Sequence, residues 1–364
     1  MTKPVTIDPL YFSRISLAKA LLDNLAQGIS SAFTLFAPRR MGKTQFLLND
    51  ITPVAKELGF NLFYFSFMNE NSQSVQNEFK IALSRFCDEI RPTTTLKTIK
   101  SIDLFGVSIE RAVENQPDFS VSHLIDELAK DNKPTLMLLD EVQELARIKD
   151  ADGLIRSLRT GLDINKNKVK VIFTGSSTNG LRAIFNDSKA PFFHFSHPIN
   201  FPLLDKTFTD FLADIYQKRT GNKLNKNQFF NVFRTLNFTP LYLRAITQDM
   251  IIDPSLTLEA AANIRLQQMH EQSDYSQIWQ ELSELEKWIL VSVHNGESGL
   301  YKTSVRRVLA EKLGVKEITA STMQTQLKKL QRRDLISKQS DNSWIINNVL
   351  FSSWLNAKIT HNIE

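Results

Sequence analysis

The sequence predicts an α/β fold in which a three-layer parallel sheet is followed by a helical lid and a winged helix-turn-helix domain. Through the first 205 residues, short apolar runs typical of buried strands alternate with helical patterns. Helical periodicity then continues with few strand patterns, and from residue 276 three helical patterns precede a hairpin pattern. We therefore expect domains at residues 1–205, 206–275 and 276–364.

The first strand pattern runs into a tight loop that leads to a helical pattern. At residues 37–44 the loop carries A-x-x-x-x-G-K-T, which differs only in its first residue from the phosphate-binding pattern G-x-x-x-x-G-K-[ST]. In such a loop, backbone N–H groups and the following helix N-terminus face a polyphosphate. We expect Lys43 to reach the β- and γ-phosphates and Thr44 to complete a Mg²⁺ shell. The predicted nucleotide-binding residues are Ala37, Pro38, Arg39, Arg40, Met41, Gly42, Lys43, Thr44 and Gln45.

A second motif ends the apolar run P-T-L-M-L-L-D-E at residues 134–141. Its continuous apolar character predicts a buried parallel strand, and ligands bind beyond the carboxyl ends of such strands. Asp140 is expected to orient Mg²⁺ and its waters, and Glu141 to polarise the attacking water as general base. The predicted catalytic residues are thus Glu141 and Lys43, and the predicted metal site is Thr44 with Asp140. Alternatively, the two acids only cap the next helix.

A third strand pattern, at residues 170–174, runs into a hydroxyl-rich segment. In P-loop ATPases with an additional strand, the strand after the acidic one ends in a polar sensor that faces the γ-phosphate. Thr174, Ser176 and Ser177 are the candidates, and the sequence does not choose among them. Alternation of strand and helical patterns predicts a parallel three-layer sheet. The remaining strand patterns fall at 61–66 and 198–201, and the helical patterns at 43–58, 74–91, 120–131 and 151–163.

The loop string A-P-R-R-M-G-K-T resembles the G-P-R-R-x-G-K-T loop of the archaeal-type ATPases, relatives of AAA+ and STAND NTPases. The runs L-D-E-V-Q-E-L and F-T-G-S-S, at residues 139–145 and 173–177, are similar to that family in order and spacing. Two departures occur, because Ala37 replaces the first Gly, and residues 238–240 stand where Gly-rich residues precede the family's Pro. The resemblance implies an ATPase that uses ATP and Mg²⁺, with slow or partner-stimulated turnover.

The resemblance also suggests roles for four arginines. Arg39 and Arg40 lie inside the loop, where a guanidinium could pair with phosphate or with a neighbouring carboxylate. Arg156 and Arg159, after the two acids, could reach a neighbour's nucleotide as an arginine finger if the protein forms rings or dimers. Alternatively, these arginines are solvated or salt-bridged at the surface.

The last 89 residues carry the pattern of a winged helix-turn-helix. A capping box at residues 283–286 opens the first helical pattern, and the second covers 303–313. The third covers 319–333. Two short strand patterns at 335–339 and 343–347, joined by a turn pattern, predict the wing.

In that arrangement the third helix is the recognition helix, whose N-terminal half presents polar side chains to base edges. Basic side chains would hold phosphate. Residues 276–364 contain 12 Lys and Arg and nine Asp and Glu, so this segment has a net positive charge. Winged helices also dock proteins, so the alternative function is a STAND-like signalling or scaffold NTPase. A replication-initiator-like ATPase has the same domain order. The predicted DNA-binding residues are Thr322, Gln324, Thr325, Lys328, Lys329, Arg332, Arg333 and Lys338.

Composition limits the remaining classes. The chain has 42% hydrophobic and 23% charged residues and a net charge of +5, which suits a soluble globular protein. No apolar run is long enough to cross a bilayer, and the polar N-terminus does not fit a secretory signal. A single cysteine, Cys87, excludes an internal disulfide. We therefore expect a cytoplasmic ATP-driven switch with nucleotide, duplex DNA or protein, and its own copies as partners, and with no membrane partner.

Overall fold

The computed structural model describes residues 8–68, 75–91, 119–148, 151–176, 185, 190, 192–236, 238–272, 275–333, 335–338 and 343–361. The chain divides into two compact units. The first is Ser13–Phe201, and the second is Pro202–Glu364 together with the segment that ends at Phe12. None of the described helices is both long enough and apolar enough to span a bilayer.

The first unit is built on a five-stranded sheet in which every pair of neighbouring strands is parallel. The order is β2-β3-β4-β1-β5, so β4 lies between the strand before the loop and the acidic strand, as expected for an additional-strand ATPase. Strands β3 and β4 are buried along their whole length, as strands covered on both faces are. The strands are β1 (Ala32–Phe36), β2 (Asn61–Ser66), β3 (Thr135–Asp140), β4 (Val169–Gly175) and β5 (His197–Asn200).

Helices cover both faces of this sheet. Because successive side chains of a strand point to opposite faces, β3 contributes Met137 and Leu139 to one apolar core, and Leu136 and Leu138 to another. The first core includes residues of α4, α5 and α6, and the second those of α1, α2 and α3. The predicted three-layer fold is thus confirmed. The helices are α1 (Ile15–Ala26), α2 (Lys43–Phe46), α3 (Thr52–Glu57), α4 (Val75–Ile90), α5 (Val121–Ala129) and α6 (Asp152–Ile164).

The helix after the loop differs from the continuous helix predicted at 43–58. A π-helical turn, Leu47–Ile51, separates α2 from α3. Pro53, the second residue of α3, has no N–H to donate to the preceding turn, so the regular hydrogen-bond pattern is interrupted here. The wider turn carries Asp50, whose side chain is buried.

In the part of the second unit that the structure describes, helices are accompanied by one antiparallel hairpin. Helices α12, α13 and α14 precede β6 and β7, which is the predicted order of a winged helix-turn-helix. Its elements are α7 (Lys206–Thr220), α8 (Lys226–Thr235), α9 (Pro240–Ile252), α10 (Leu258–Gln272), α11 (Tyr275–Gln280), α12 (Glu284–His294), α13 (Thr303–Leu313), α14 (Ala320–Arg332), β6 (Ile336–Lys338), β7 (Trp344–Ile346) and α15 (Val349–His361).

One apolar core runs through the helices and hairpin of this unit. It contains Phe208 and Leu243 from the lid helices, Leu290 and Leu327 from the winged helix, and Phe351 from α15. The predicted capping box at the start of α12 is present. Because the lid helices and the winged helix share a core, the predicted boundary at residue 275 stays a prediction.

Candidate nucleotide site

The loop between β1 and α2 has two residues in the left-handed backbone region. Arg40 has φ 70° and Gly42 has φ 87°. Gly42 is the N-cap of α2, and a glycine suits this conformation because it has no Cβ. Ala37 is outside the left-handed region. Its backbone therefore accommodates a Cβ where the general pattern has glycine.

Lys43 is buried at the start of α2. Its Nζ donates to the carbonyl oxygens of Ala37 at 2.9 Å and Pro38 at 3.0 Å. Burial lowers the pKa of Lys43, and the nearby carboxylates of Glu141 and Asp140 oppose this effect. Two carbonyl groups of the loop thus bind the lysine ammonium.

The buried carboxylate of Asp140, at the carboxyl end of β3, receives three hydroxyl groups. Thr44 donates from Oγ1 to Oδ2 at 2.6 Å, and the Tyr64 hydroxyl donates to the same oxygen at 3.3 Å. Thr174, on the adjacent strand β4, donates from Oγ1 to Oδ1. The parallel register produces this arrangement, because it brings the ends of β2, β3 and β4 to one edge of the sheet.

Tyr64 is a site residue that the sequence did not indicate. Burial, followed by the charge of Asp140, raises the pKa of Tyr64 to about 12. The phenol therefore keeps its proton at neutral pH and acts as a donor to Asp140. A local pattern has little chance of revealing it, because an aromatic residue in an apolar strand is most often part of the core.

Glu141 begins the 3₁₀ helix Val142–Arg147 in the left-handed region, with φ 54° and ψ 41°. A non-glycine residue there is strained, and such strain is often found at functional sites. Its Oε2 accepts hydrogen bonds from Ser176 Oγ at 2.9 Å and from the side-chain amide of Gln143. The Asp-Glu-x-Gln run was noted for its family resemblance, but Gln143 was not predicted as a site residue.

The structure separates two of the sensor candidates by their partners. Thr174 contacts Asp140, whereas Ser176 contacts Glu141. Ser177 lies outside the described residues.

The predicted arginines have different surroundings. Arg39 is largely exposed, and its guanidinium lies 3.9 Å from a carboxylate oxygen of Glu144. Arg159 lies 3.8 Å from Asp163, and its guanidinium stands 4.4 Å from the ring centre of Phe195. Arg156, on the same helix α6, is exposed. Of the two predicted finger residues, Arg156 is the one that faces solvent.

The buried carboxylate of Asp50, on the π turn, was not predicted to have a role. It accepts from Ser13 Oγ at 2.5 Å and from the backbone N–H of Arg14 at 2.9 Å. The Arg14 guanidinium lies 4.0 Å from the ring centre of Phe201 and reaches the Met41 carbonyl oxygen at 3.5 Å. The turn after the phosphate loop is therefore joined to the first residues of the unit.

On α14, the predicted DNA-binding side chains are exposed. Arg333 forms an ion pair with Glu281 at 3.0 Å, and Thr325 donates back to the carbonyl oxygen of Ser321. Lys338, on β6, is half-buried. The exposed residues at this face are Thr322, Gln324, Thr325, Lys328, Lys329, Arg332 and Arg333.

The profile of a family described as an ATPase domain predominantly from Archaea matches residues 12–246, which is more than half of the chain. The chain belongs to this archaeal ATPase family. It is accordingly an ATPase, and the predicted family resemblance is confirmed. The match begins at Phe12 and includes the phosphate loop, β3 and β4.

Solved structures share the fold of the archaeal-type ATPase. A Walker-type ATPase of Pyrococcus abyssi is 17% identical, with a TM-score of 0.66, and the similarity covers 98% of this chain and 99% of that one. The ORC2 protein of Aeropyrum pernix in its ADP form is 13% identical, with a TM-score of 0.55, over 99% and 97% of the two chains. At these identities the likeness shows the fold alone. Among curated proteins, no match was found.

Proposed function

We propose that the archaeal-type ATPase binds Mg²⁺-ATP at residues 37–45 and hydrolyses it with Glu141 as general base. The observation that carries this proposal is the hydrogen-bonded group of Thr44, Asp140 and Thr174 beside buried Lys43. Loop, acidic strand and additional strand thus meet at one edge of the sheet. A Pro-Arg-Arg loop and an Asp-Glu pair that are far apart in sequence therefore belong to a single site.

Nucleotide binding requires Lys43 to exchange its carbonyl partners for phosphate. Both contacts go to the loop itself, through Ala37 and Pro38, so the ammonium already lies where a β- or γ-phosphate oxygen would approach. The N-terminus of α2 and its backbone N–H groups favour the same anion. The burial that lowers the pKa of Lys43 is offset when the ammonium is paired with phosphate.

The oxygen donors at the end of β3 fit Mg²⁺. Among the described residues, no group of three or more His, Cys, Asp or Glu could hold a metal alone. Mg²⁺ is instead commonly bound through one or two protein oxygens together with waters and substrate phosphates. Thr44 would supply a hydroxyl ligand, and Asp140 would orient the waters. When bound, the ion neutralises charge on the phosphate oxygens.

In the hydrolytic step, Glu141 accepts a proton from the water that attacks the γ-phosphate. Its side chain starts from a strained backbone position directly after the metal-orienting Asp140. Thr174 retains its hydrogen bond to Asp140, so it keeps that carboxylate oriented towards the ion.

Two substitutions test this proposal. Lys43→Ala should abolish ADP binding measured by calorimetry, whereas Lys56→Ala, which changes an exposed residue of α3, should leave it unaltered.

Glu141→Gln should bind ADP normally but lose at least 10²-fold in ATP turnover, because the amide cannot accept the water proton. The matched control is Glu57→Gln, also exposed on α3. Wild-type turnover by Glu141→Gln would rule out the general base, and unchanged affinity of Lys43→Ala would rule out the phosphate loop.

The winged helix is proposed to bind duplex DNA through α14. Its N-terminal half exposes Thr322, Gln324 and Thr325, which are suited to base edges. Lys328 and Lys329 are exposed further along the same helix, where they would contact phosphate. The helix is fixed from behind, because Met323, Leu327 and Leu330 are buried.

Salt dependence tests DNA binding without knowledge of the target sequence. Each phosphate contact contributes a slope of about −0.9 to the logarithm of affinity against the logarithm of salt. Changing Lys328, Lys329, Arg332 and Arg333 together to Gln should flatten that slope by about three to four. Changing the exposed residues Lys56 and Lys133 of the first unit should not. An unaltered slope in the first variant would refute the DNA contact.

A protein-docking winged helix is the second candidate, favoured by exposed apolar side chains. Val308 on α13 is 50% exposed, Val315 after it is 49% exposed, and Ile345 on the wing is 46% exposed. Such side chains suit a protein partner better than phosphate. A STAND-like switch would show no salt-dependent affinity for duplex DNA, and its ATP turnover would not change when DNA is added.

Assembly of several copies is proposed through Arg156, which is exposed on α6. If it acts as an arginine finger in trans, turnover per chain should rise with protein concentration. Mixing Arg156→Ala with Glu141→Gln should then restore activity, because each variant supplies what the other lacks. Turnover that is independent of concentration would contradict the proposal.

A further inference from the structure

Gln143 is a buried polar residue with a complete set of partners. Its side chain is 1% exposed. The amide nitrogen Nε2 donates to Glu141 Oε2, and it lies 3.2 Å from Ser176 Oγ and 3.4 Å from Glu144 Oε1. The carbonyl oxygen Oε1 accepts the backbone N–H of Ser176 at 3.2 Å. A buried side chain with all of its polar atoms bonded has a fixed orientation.

The backbone contact decides which way the amide faces. An N–H group can only donate, so the atom of Gln143 that faces the Ser176 nitrogen must be the oxygen. The NH₂ group is thereby directed at Glu141. Since Gln143 follows β3 and Ser176 follows β4, the amide also connects the ends of these two strands.

The two donors act on the same oxygen of the general base. Ser176 Oγ and Gln143 Nε2 both donate to Glu141 Oε2. Within the described part of the chain, Oε1 of Glu141 has no hydrogen bond. Two donors therefore fix one carboxylate oxygen of Glu141.

We propose that Gln143 is a positioning residue for catalysis, which acts through Glu141 by fixing Oε2 so that Oε1 faces the attacking water. This inference rests on the proposed role of Glu141 as general base. Ser176 supports the same oxygen, and its own orientation depends on the backbone contact with Gln143. Precise placement of a reacting group contributes strongly to rate, since a displacement of about 1 Å can cost about 10²-fold.

The test is a double-mutant cycle of ATP turnover with Gln143→Met and Glu141→Gln. Methionine has about the size of glutamine but cannot donate. Gln143→Met should lower kcat by roughly 10- to 100-fold while ADP affinity, measured by calorimetry, stays within about 2-fold of wild type. In the Glu141→Gln background, the same change should cause no further loss. Gln27→Met, an exposed change in the same unit, is the matched control.

Ser176→Ala provides a second variant, which removes one donor from Oε2 and leaves the buried amide in place. It should also lower kcat without changing ADP affinity, and it should add nothing to Glu141→Gln. If Gln143→Met lowers kcat in the Glu141→Gln background by the same factor as in the wild type, the amide only supports the fold. A rise in kcat would show that the amide restrains the base. Either result overturns the inference.

The cycle also separates this inference from the proposed function. If Glu141→Gln turns over like the wild type, the general base itself is misassigned. If Glu141→Gln is inactive but Gln143→Met keeps wild-type kcat, only the positioning role of Gln143 fails.

Discussion

Thr44 and Asp140 lie on different elements, yet the Thr44 hydroxyl donates to Asp140 Oδ2 at 2.6 Å. This bond joins the first turn of α2 to the carboxyl end of β3, and it aligns the two oxygen donors proposed for Mg²⁺. The same Asp140 oxygen also accepts from Tyr64, so removal of one donor does not leave the carboxylate alone.

Thr44→Val should remove the effect of Mg²⁺ on nucleotide affinity, because valine keeps the shape of threonine but has no hydroxyl. ADP affinity measured by calorimetry should fall about 10-fold in the presence of Mg²⁺ and stay unchanged in EDTA. Thr160→Val, an exposed change on α6, should behave like the wild type. A Mg²⁺ effect that persists in Thr44→Val would contradict the assignment of this ligand.

Two changes in the loop should affect nucleotide binding to different extents. Gly42→Ala places a Cβ at φ 87°, which costs about 1–2 kcal/mol although no atom lies within 4 Å of the new carbon. ADP affinity should therefore fall by about 5- to 30-fold. Ala37→Gly should leave it within about 2-fold, because Ala37 is not in the left-handed region. Equal losses in both variants would show that the loop changes shape on binding.

Two glycines of α6 form a matched pair for stability. A Cβ on Gly161 would lie 2.9 Å from the Ser122 Cα and 2.9 Å from Ile125 Cδ1, so Gly161→Ala should destabilise the first unit by about 1–3 kcal/mol. Gly153 has nothing within 4 Å, and Gly153→Ala should stabilise the helix by about 0.5–1 kcal/mol. Thermal unfolding should show a lower midpoint for the first variant and a higher one for the second. If both midpoints rise, α5 and α6 are not in close contact.

The thiol of Cys87 should react slowly in the native protein. Burial, more than the nearby acids, raises its pKa from 9.0 to about 12, so the thiolate fraction at pH 8 is about 10³-fold lower than in the unfolded chain. Alkylation by iodoacetamide should be correspondingly slower without urea than with it. Equal alkylation rates with and without urea would show that α4 does not bury Cys87.

The raised pKa of the thiol also affects stability. Because the folded chain holds this proton between pH 9 and 12 and the unfolded chain releases it, the thiol makes the fold less stable as pH rises through that window.

The strands of the first unit were predictable because they combine continuous apolar character with polar ends. The pattern at 170–174, for example, corresponds to β4 at Val169–Gly175. The winged helix was predictable for a similar reason, since the buried Met323 and Leu327 recur at helical spacing. Neither α1 nor α15 was predicted, although the buried Ala18, Leu21, Leu22 and Leu25 of α1 recur at helical spacing.

The site was predicted in part. Lys43, Thr44, Asp140 and Glu141 belong to short motifs that fix chemistry by local spacing. Tyr64 and Gln143 could not be found in this way, because their contacts with Asp140 and Glu141 depend on which strands are neighbours in the sheet. The same holds for Asp50, whose position follows from a π turn that helical periodicity does not reveal.

The contact between Arg14 and Phe201 joins the two ends of the first unit. These residues stand at the beginning and the end of Ser13–Phe201, and the guanidinium lies 4.0 Å from the ring centre. Segments whose termini lie close together tolerate circular permutation and insertion into another chain. The two ends of the unit that carries the phosphate loop therefore meet, which is the geometry that favours circular permutation.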